Sequence, residues 1–187
     1  MRIVKPRAVF NLLPKGALPG TYEKLVKLDM PHGPYGDEVG MGLTLLEIFL
    51  LIAIARKVQA QRVFEFGTDQ GATTRALASN VPGVFICTID LSRCPQKLPV
   101  NVLASVSDSR KLVPLRGVED LVFVDGGHEP DVFENDTRLA YRMIKLGGVI
   151  VWHDCGNPEF PHIEEYLQSR AVRIASTMLA VEGLPGL

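Results

Sequence analysis

Four short apolar runs recur along this chain with helical stretches between them: Val63–Phe66 (VFEF), Val84–Ile89 (VFICTI), Leu121–Val124 (LVFV) and Val149–Trp152 (VIVW). Their near-unbroken apolarity is the strongest constraint on the fold. A strand with one wet face alternates polar and apolar residues, whereas a strand covered on both faces does not. Such strands separated by helices predict an α/β architecture: a doubly wound, mostly parallel sheet with helices on both faces.

The rest of the chain fits that frame. Residues 1–40 are punctuated by Pro6, Pro14, Pro19, Pro31 and Pro34 and read as an arm or lid. Residues 41–187 read as a single domain, since 187 residues suit one core. Helices are expected over Gly42–Gln59, Ala72–Ser79, Asp131–Leu146 and Ile163–Ser169, with a further short strand at Val100–Ala104 and strand-rich sequence from Val172 to Glu182. Gly147-Gly148 is expected to stop the third of those helices. The net charge of −1 offers no basic excess for a nucleic acid or an anionic membrane, so neither partner is expected. Cys87, Cys94 and Cys155 form no CxxC pair and suit reduced thiols in a cytoplasm. The apolar run Leu43–Ala55 contains Glu47 and falls short of the ~20 residues of a membrane span. No secretory leader is legible at the N-terminus.

In sheets of this kind, ligands gather beyond the carboxyl ends of the strands. The first strand runs into Glu65-Phe66-Gly67-Thr68-Asp69-Gln70-Gly71 and then a helix. Gly67 and Gly71 would let the backbone turn sharply and approach a ligand, and the helix start would offer unpaired N–H groups. The spacing is G-x-x-x-G, not the G-x-G-x-x-G of a nicotinamide dehydrogenase. Asp90, beside Leu91, ends the second strand and could accept hydrogen bonds from ribose hydroxyls. Asp108, in Ser107-Asp108-Ser109, could accept an adenine amino proton or simply start a turn.

These stretches resemble the class I S-adenosylmethionine-dependent methyltransferases. EFGTDQGATTRALA is similar to their first motif, FICTIDLS to the second and SDSRKL to the third. DLVFVDGGHEPDVFENDTRLAYRMIKLGGVIVWHDCG resembles the small-molecule O-methyltransferase branch, in which D-G-x-H and G-G-V-I-V-x-H-D close two successive strands. The likeness spans roughly residues 60–182. It implies a Rossmann-like sheet with an antiparallel C-terminal edge hairpin, S-adenosyl-L-methionine as cofactor and methyl transfer to a small-molecule acceptor, most readily at oxygen. It further implies that Glu65 orients the methionine amino group or the loop itself, that Gly67, Thr68 and Gly71 lie against the methionine portion, that Asp90 and Leu91 lie against the ribose, and that Asp108 and Ser109 lie against the adenine. Asp125 would border both cofactor and acceptor. A homodimer is compatible with it.

The reactive end admits three readings. Asp125, His153 and Asp154 could hold a divalent cation that lowers the acceptor's pKa, although an imidazole in the set suits zinc, iron or nickel better than magnesium. Alternatively His128, with Asp125, is a general base, a role for which His153 also qualifies. In the third, the histidines only support the loops. His162 reads as a surface residue, Trp152 as sheet core, and Tyr35 and Asp37 as part of a turn in the arm. Two rival functions remain on this scaffold: a metal-dependent, hydroxylase-like enzyme and a non-catalytic S-adenosylmethionine-binding module.

Overall fold

The computed structural model describes residues 2–4, 43–171 and 179–181. The elements run β1 (Arg2–Val4), α1 (Leu45–Lys57), β2 (Arg62–Phe66), α2 (Ala72–Asn80), β3 (Phe85–Asp90), β4 (Val102–Val106), a 3-10 turn (Ser109–Lys111), β5 (Glu119–Val124), α3 (Pro130–Met143), β6 (Ile144–Trp152), α4 (Pro161–Ala171) and β7 (Leu179–Val181). Five strands form one parallel sheet in the order β4-β3-β2-β5-β6. The chain winds outward from β2 to β4, then returns to the other side of β2 for β5 and β6. The order therefore reverses between β2 and β5, which is where such sheets open a ligand crevice.

Alternate residues of the central strands feed two separate cores, as the two-sided apolar runs require. Val63 of β2 with Leu121 and Phe123 of β5 packs against Leu50 and Leu51 of α1 and Leu77 of α2. Phe64, Phe66, Val122 and Val124 pack on the opposite face against Phe133, Leu139 and Met143 of α3 and Ile163 and Leu167 of α4. Helix α1 begins at a reciprocal cap: the Thr44 hydroxyl accepts from the Glu47 N–H at 3.3 Å, and the Glu47 carboxylate accepts from the Thr44 N–H at 2.6 Å.

Two expectations change, and a third falls largely outside the described residues. Helix α3 ends at Met143, and Ile144 already pairs with Glu119. The next pairing is Leu121 with Val149, so the chain between bulges outward, and Gly147 at φ +83° turns it there instead of capping the helix. The short strand after β3 lies at Val102–Val106, two residues later than the sequence suggested. The antiparallel edge hairpin is not seen among the described residues: β7 pairs in parallel with β1. Residues 172–178 and 182–187 lie outside them, as does the arm beyond Arg2–Val4, with His32, Tyr35 and Asp37. No helix among the described residues is long and apolar enough to cross a membrane.

Candidate functional site

The ends of β3, β2, β5 and β6 are drawn level by successive backbone hydrogen bonds. Gly67 N–H donates to the Ile89 carbonyl at 2.9 Å, Asp125 N–H to Phe66 at 3.0 Å, and His153 N–H to Val124 at 3.0 Å. Every residue that follows a strand in sequence is thereby placed along one rim.

On the β2–β3 side the loop after β2 holds Gly67 at φ +88° and Gly71 at φ +75°. Gly71 also caps α2 without any side-chain hydrogen bond, which leaves the first N–H groups of that helix for a ligand. Gly67 also meets a demand that its sequence position did not disclose. A Cβ there would sit 1.9 Å from the carbonyl oxygen of Asp125, so glycine admits the end of β5. Thr68 is buried, and its hydroxyl shares a 2.6 Å hydrogen bond with that of Thr88.

Glu65 is wholly buried, and burial pushes its carboxyl up to about 7. One of its oxygens accepts from the Thr74 hydroxyl of α2 at 2.5 Å, while Oε1 is buried with no hydrogen-bond partner. Asp90 accepts from the Asp69 N–H on one oxygen (2.9 Å) and from the N–H groups of Ser92 and Arg93 on the other (2.9 and 3.0 Å). Burial alone would raise its pKa, but these backbone donors outweigh it and hold the carboxyl below its ordinary value. The Ser92 hydroxyl donates to the crowded Oδ1 as well, at 3.3 Å, whereas Oδ2 takes the Asp69 donor alone and keeps a lone pair for a ligand hydroxyl. Beside it opens a cleft of about 480 Å³ lined by Asp69, Gln70, Ser92, Arg93, Cys94, Pro95 and Gln96. Leu91 is exposed at this end.

Asp108 caps the 3-10 turn and is gripped by the Arg110 guanidinium at 2.9 and 3.1 Å, which holds its carboxyl low. Ser109 meets Asn135 of α3 at 3.3 Å. The buried Asp136 carboxylate, which sequence reasoning did not single out, lies where a Cβ on Gly126 would come within 2.8 Å of it.

On the β5–β6 side the four predicted residues come together. Nδ1 of His153 lies 3.0 Å from Asp125 Oδ1 and 2.8 Å from Asp154 Oδ2. The same Asp154 oxygen is 2.7 Å from Nε2 of His128. Asp154 sits at φ +58°, a conformation uncommon for a residue with a side chain, and Asn157 donates to its other oxygen at 2.7 Å. The His128 ring stacks on Phe160 with centroids 4.0 Å apart. Its carbonyl is met by His162 Nε2 at 2.7 Å, so His162 is a half-buried brace of this loop and not the surface residue expected.

Burial would lower the pKa of His153, but the facing carboxylates of Asp125, Asp154 and Glu47 reverse that and raise it to about 11. His128 is raised by its bond to Asp154. Asp154 is driven strongly down by His128, His153 and Asn157 against the cost of burial, whereas burial pushes Asp125 up. Glu47 was not anticipated as a site residue. It comes from α1, with its Oε2 3.9 Å from His153 Nε2, and its only sequence signal was a single acid inside an apolar run.

One ligand atom each from Asp125, His153 and Asp154 falls within 4.8 Å of the others. The cavity they border with Gly126, Gly127 and His128 is about 10 Å³, the size of a single water or ion. Two carboxylates and an imidazole are a donor set that manganese, iron or zinc accepts more readily than magnesium.

Comparison with known proteins follows the same lines. Residues 64–155 match the family described as "Methyltransferase domain". No curated protein matches the sequence. Among solved structures, the chain is similar to the O-methyltransferase TomG from Streptomyces achromogenes, involved in tomaymycin synthesis and crystallised with S-adenosylmethionine. That likeness has 23% identity and a TM-score of 0.57, covering 69% of this chain and 70% of that one. A protein from Klebsiella pneumoniae provisionally assigned as an O-methyltransferase is similar at 18% identity and TM-score 0.52, over 87% of this chain and 83% of that one. CalS11, a TDP-rhamnose 3′-O-methyltransferase of calicheamicin biosynthesis, is similar at 13% identity and TM-score 0.51, over 65% and 68%. At these identities the structural likenesses establish the fold.

Proposed function

Through residues 64–155 the chain belongs to the class I S-adenosylmethionine-dependent methyltransferases, and from that premise we propose that it methylates a small-molecule acceptor at oxygen. One observation supports the acceptor chemistry above the others. His128, Asp125, His153 and Asp154 converge on the strand ends next to the cofactor loop. An acceptor hydroxyl must lose its proton to attack, and this cluster offers both a base and buried carboxylates to orient it. A carbon or nitrogen acceptor would have less use for such a cluster.

The residues present fit the cofactor. Asp90 would hold the ribose hydroxyls at the mouth of the 480 Å³ cleft, and the uncapped start of α2 would meet the carboxylate of the methionine portion. Glu65, whose Oε1 is buried and unpartnered, would face the positive amino end of that portion. S-adenosylmethionine supplies a sulfonium methyl group open to in-line displacement. The protein's part is then largely alignment, with His128 taking the acceptor's proton while Asp154 holds the ring in place. Asp125, His153 and Asp154 would hold a divalent cation, which as a Lewis acid lowers the pKa of a hydroxyl bound beside it.

Calorimetric titration with S-adenosylmethionine, S-adenosylhomocysteine and NAD tests the reading. Saturable binding of the first two, absent for NAD, is expected. Asp90→Ala should weaken S-adenosylhomocysteine by about 1.5–3 kcal/mol, the worth of a hydrogen bond to a charged group. Binding of NAD alone overturns the methyltransferase reading, and an Asp90→Ala protein within twofold of wild type removes Asp90 from the ribose.

A further inference from the structure

Glu47 is out of character for the position it holds. The third residue of a helix that closes a cap box ordinarily stands in solvent, yet Glu47 is 3% exposed. Its cap partner is the Thr44 backbone N–H, a neutral donor. A buried carboxylate costs several kcal/mol unless a cation or strong donors compensate. The His153 imidazole lies 3.9 Å away, an ion-pair distance that puts Nε2 opposite the Glu47 carboxylate.

The His153 ring is therefore spanned from end to end by acids. Nδ1 faces Asp125 and Asp154, and Nε2 faces Glu47. Metal-binding histidines commonly carry such a partner on the far nitrogen, because it fixes the tautomer and aims the near nitrogen at the ion. The partner here comes from α1, outside residues 64–155 that match the methyltransferase family.

We propose that Glu47 is a positioning residue that holds the Nε2 proton of His153 and so presents Nδ1, with Asp125 and Asp154, to a divalent cation at the acceptor site. The proposal rests on the reading of those three residues as a cation site. It gives the two ends of α1's first turn separate duties: Thr44 starts the helix, and Glu47 both caps it and reaches the reactive rim. It also favours a nitrogen-accepting ion, manganese or zinc, over magnesium.

Three variants and three measurements test it. Glu47→Gln keeps an acceptor oxygen at the same reach, Glu47→Leu removes it, and Thr44→Ala weakens the cap while its backbone N–H still holds the Glu47 carboxylate. In calorimetry with Mn²⁺ or Zn²⁺, Glu47→Leu should lose roughly ten- to a hundredfold in affinity, the usual effect of removing such a partner. Glu47→Gln should recover most of it, and Thr44→Ala should lower the melting temperature with cation affinity unchanged. In ¹⁵N spectra of the histidine rings, the His153 Nε2 signal should move in Glu47→Leu and stay in Glu47→Gln. Equal cation affinity in wild type and Glu47→Leu overturns the proposal. If the wild type binds neither ion, the cation reading fails by itself and the ring spectra decide on Glu47. An unmoved Nε2 signal in Glu47→Leu then removes its positioning role.

Discussion

Replacing Gly67 by alanine separates two explanations of one residue. The backbone there stands at φ +88°, and a Cβ would meet the Asp125 carbonyl oxygen at 1.9 Å and its carbon at 2.6 Å. Left-handed backbone costs a residue with a side chain about 1–2 kcal/mol. Ordinary contact begins near 3.4 Å, so the end of β5 would have to retreat by roughly 1.5 Å, an overpacking that costs about 1–3 kcal/mol more. The sum is roughly 2–5 kcal/mol. At about 2–4 °C per kcal/mol for a domain of this size, the melting temperature should fall by roughly 4–20 °C. Gly117→Ala supplies the control, since Gly117 has φ +63° with nothing within 4 Å of the added carbon and isolates the backbone term. Thermal melts of the two variants are the assay, alongside S-adenosylhomocysteine titration. Gly67→Ala should melt clearly below Gly117→Ala and also lose affinity, because Asp125 moves away from His153. If the two melt together while Gly67→Ala alone loses affinity, Gly67 makes room for the ligand and the contact with Asp125 is not limiting.

Two further predictions concern titrating groups. As a general base, His128 must be neutral, so turnover should rise with pH through its pKa, which Asp154 holds above the usual 6.5. His128→Asn should lose the acidic limb and at least about 100-fold in turnover with S-adenosylhomocysteine affinity intact; a loss of less than tenfold assigns the proton to another group. Glu65 is protonated more readily in the folded chain, at about 7, than in the unfolded chain near 4.5. Between those values the unfolded state holds fewer protons on this group, so the Glu65 contribution to stability is greatest below pH 4.5 and declines as pH rises towards 7, by up to ~3 kcal/mol. Glu65→Gln should flatten that decline in urea melts across the range while weakening S-adenosylmethionine; a slope equal to wild type refutes the buried-acid account.

What the sequence discloses about this fold follows from which constraints are local. Val122 and Phe123 are both buried because β5 is central, and an apolar run is the direct trace of that. The rim was legible for a similar reason: a parallel sheet aligns its strand ends, so Asp90, Asp125, His153 and Asp154 needed only their places after a strand to be grouped. What could not be read depends on contacts between distant segments. Gly67 announces a tight place, but only the pairing of β2 with β5 shows that the Asp125 backbone fills it. Gly147-Gly148 follows a helix pattern and looks like its stop, until Ile144 is found already paired with Glu119. His162 lies 34 residues from the carbonyl it braces, and nothing in its neighbourhood along the chain points to His128. Glu47 is the instructive case. A lone acid in the run Leu43–Ala55 serves a sequence reader as an argument against a membrane span, yet its burial demands a partner. A buried charge is an unbalanced term in the fold's energetics, and the residue that balances it is found in space at the reactive rim.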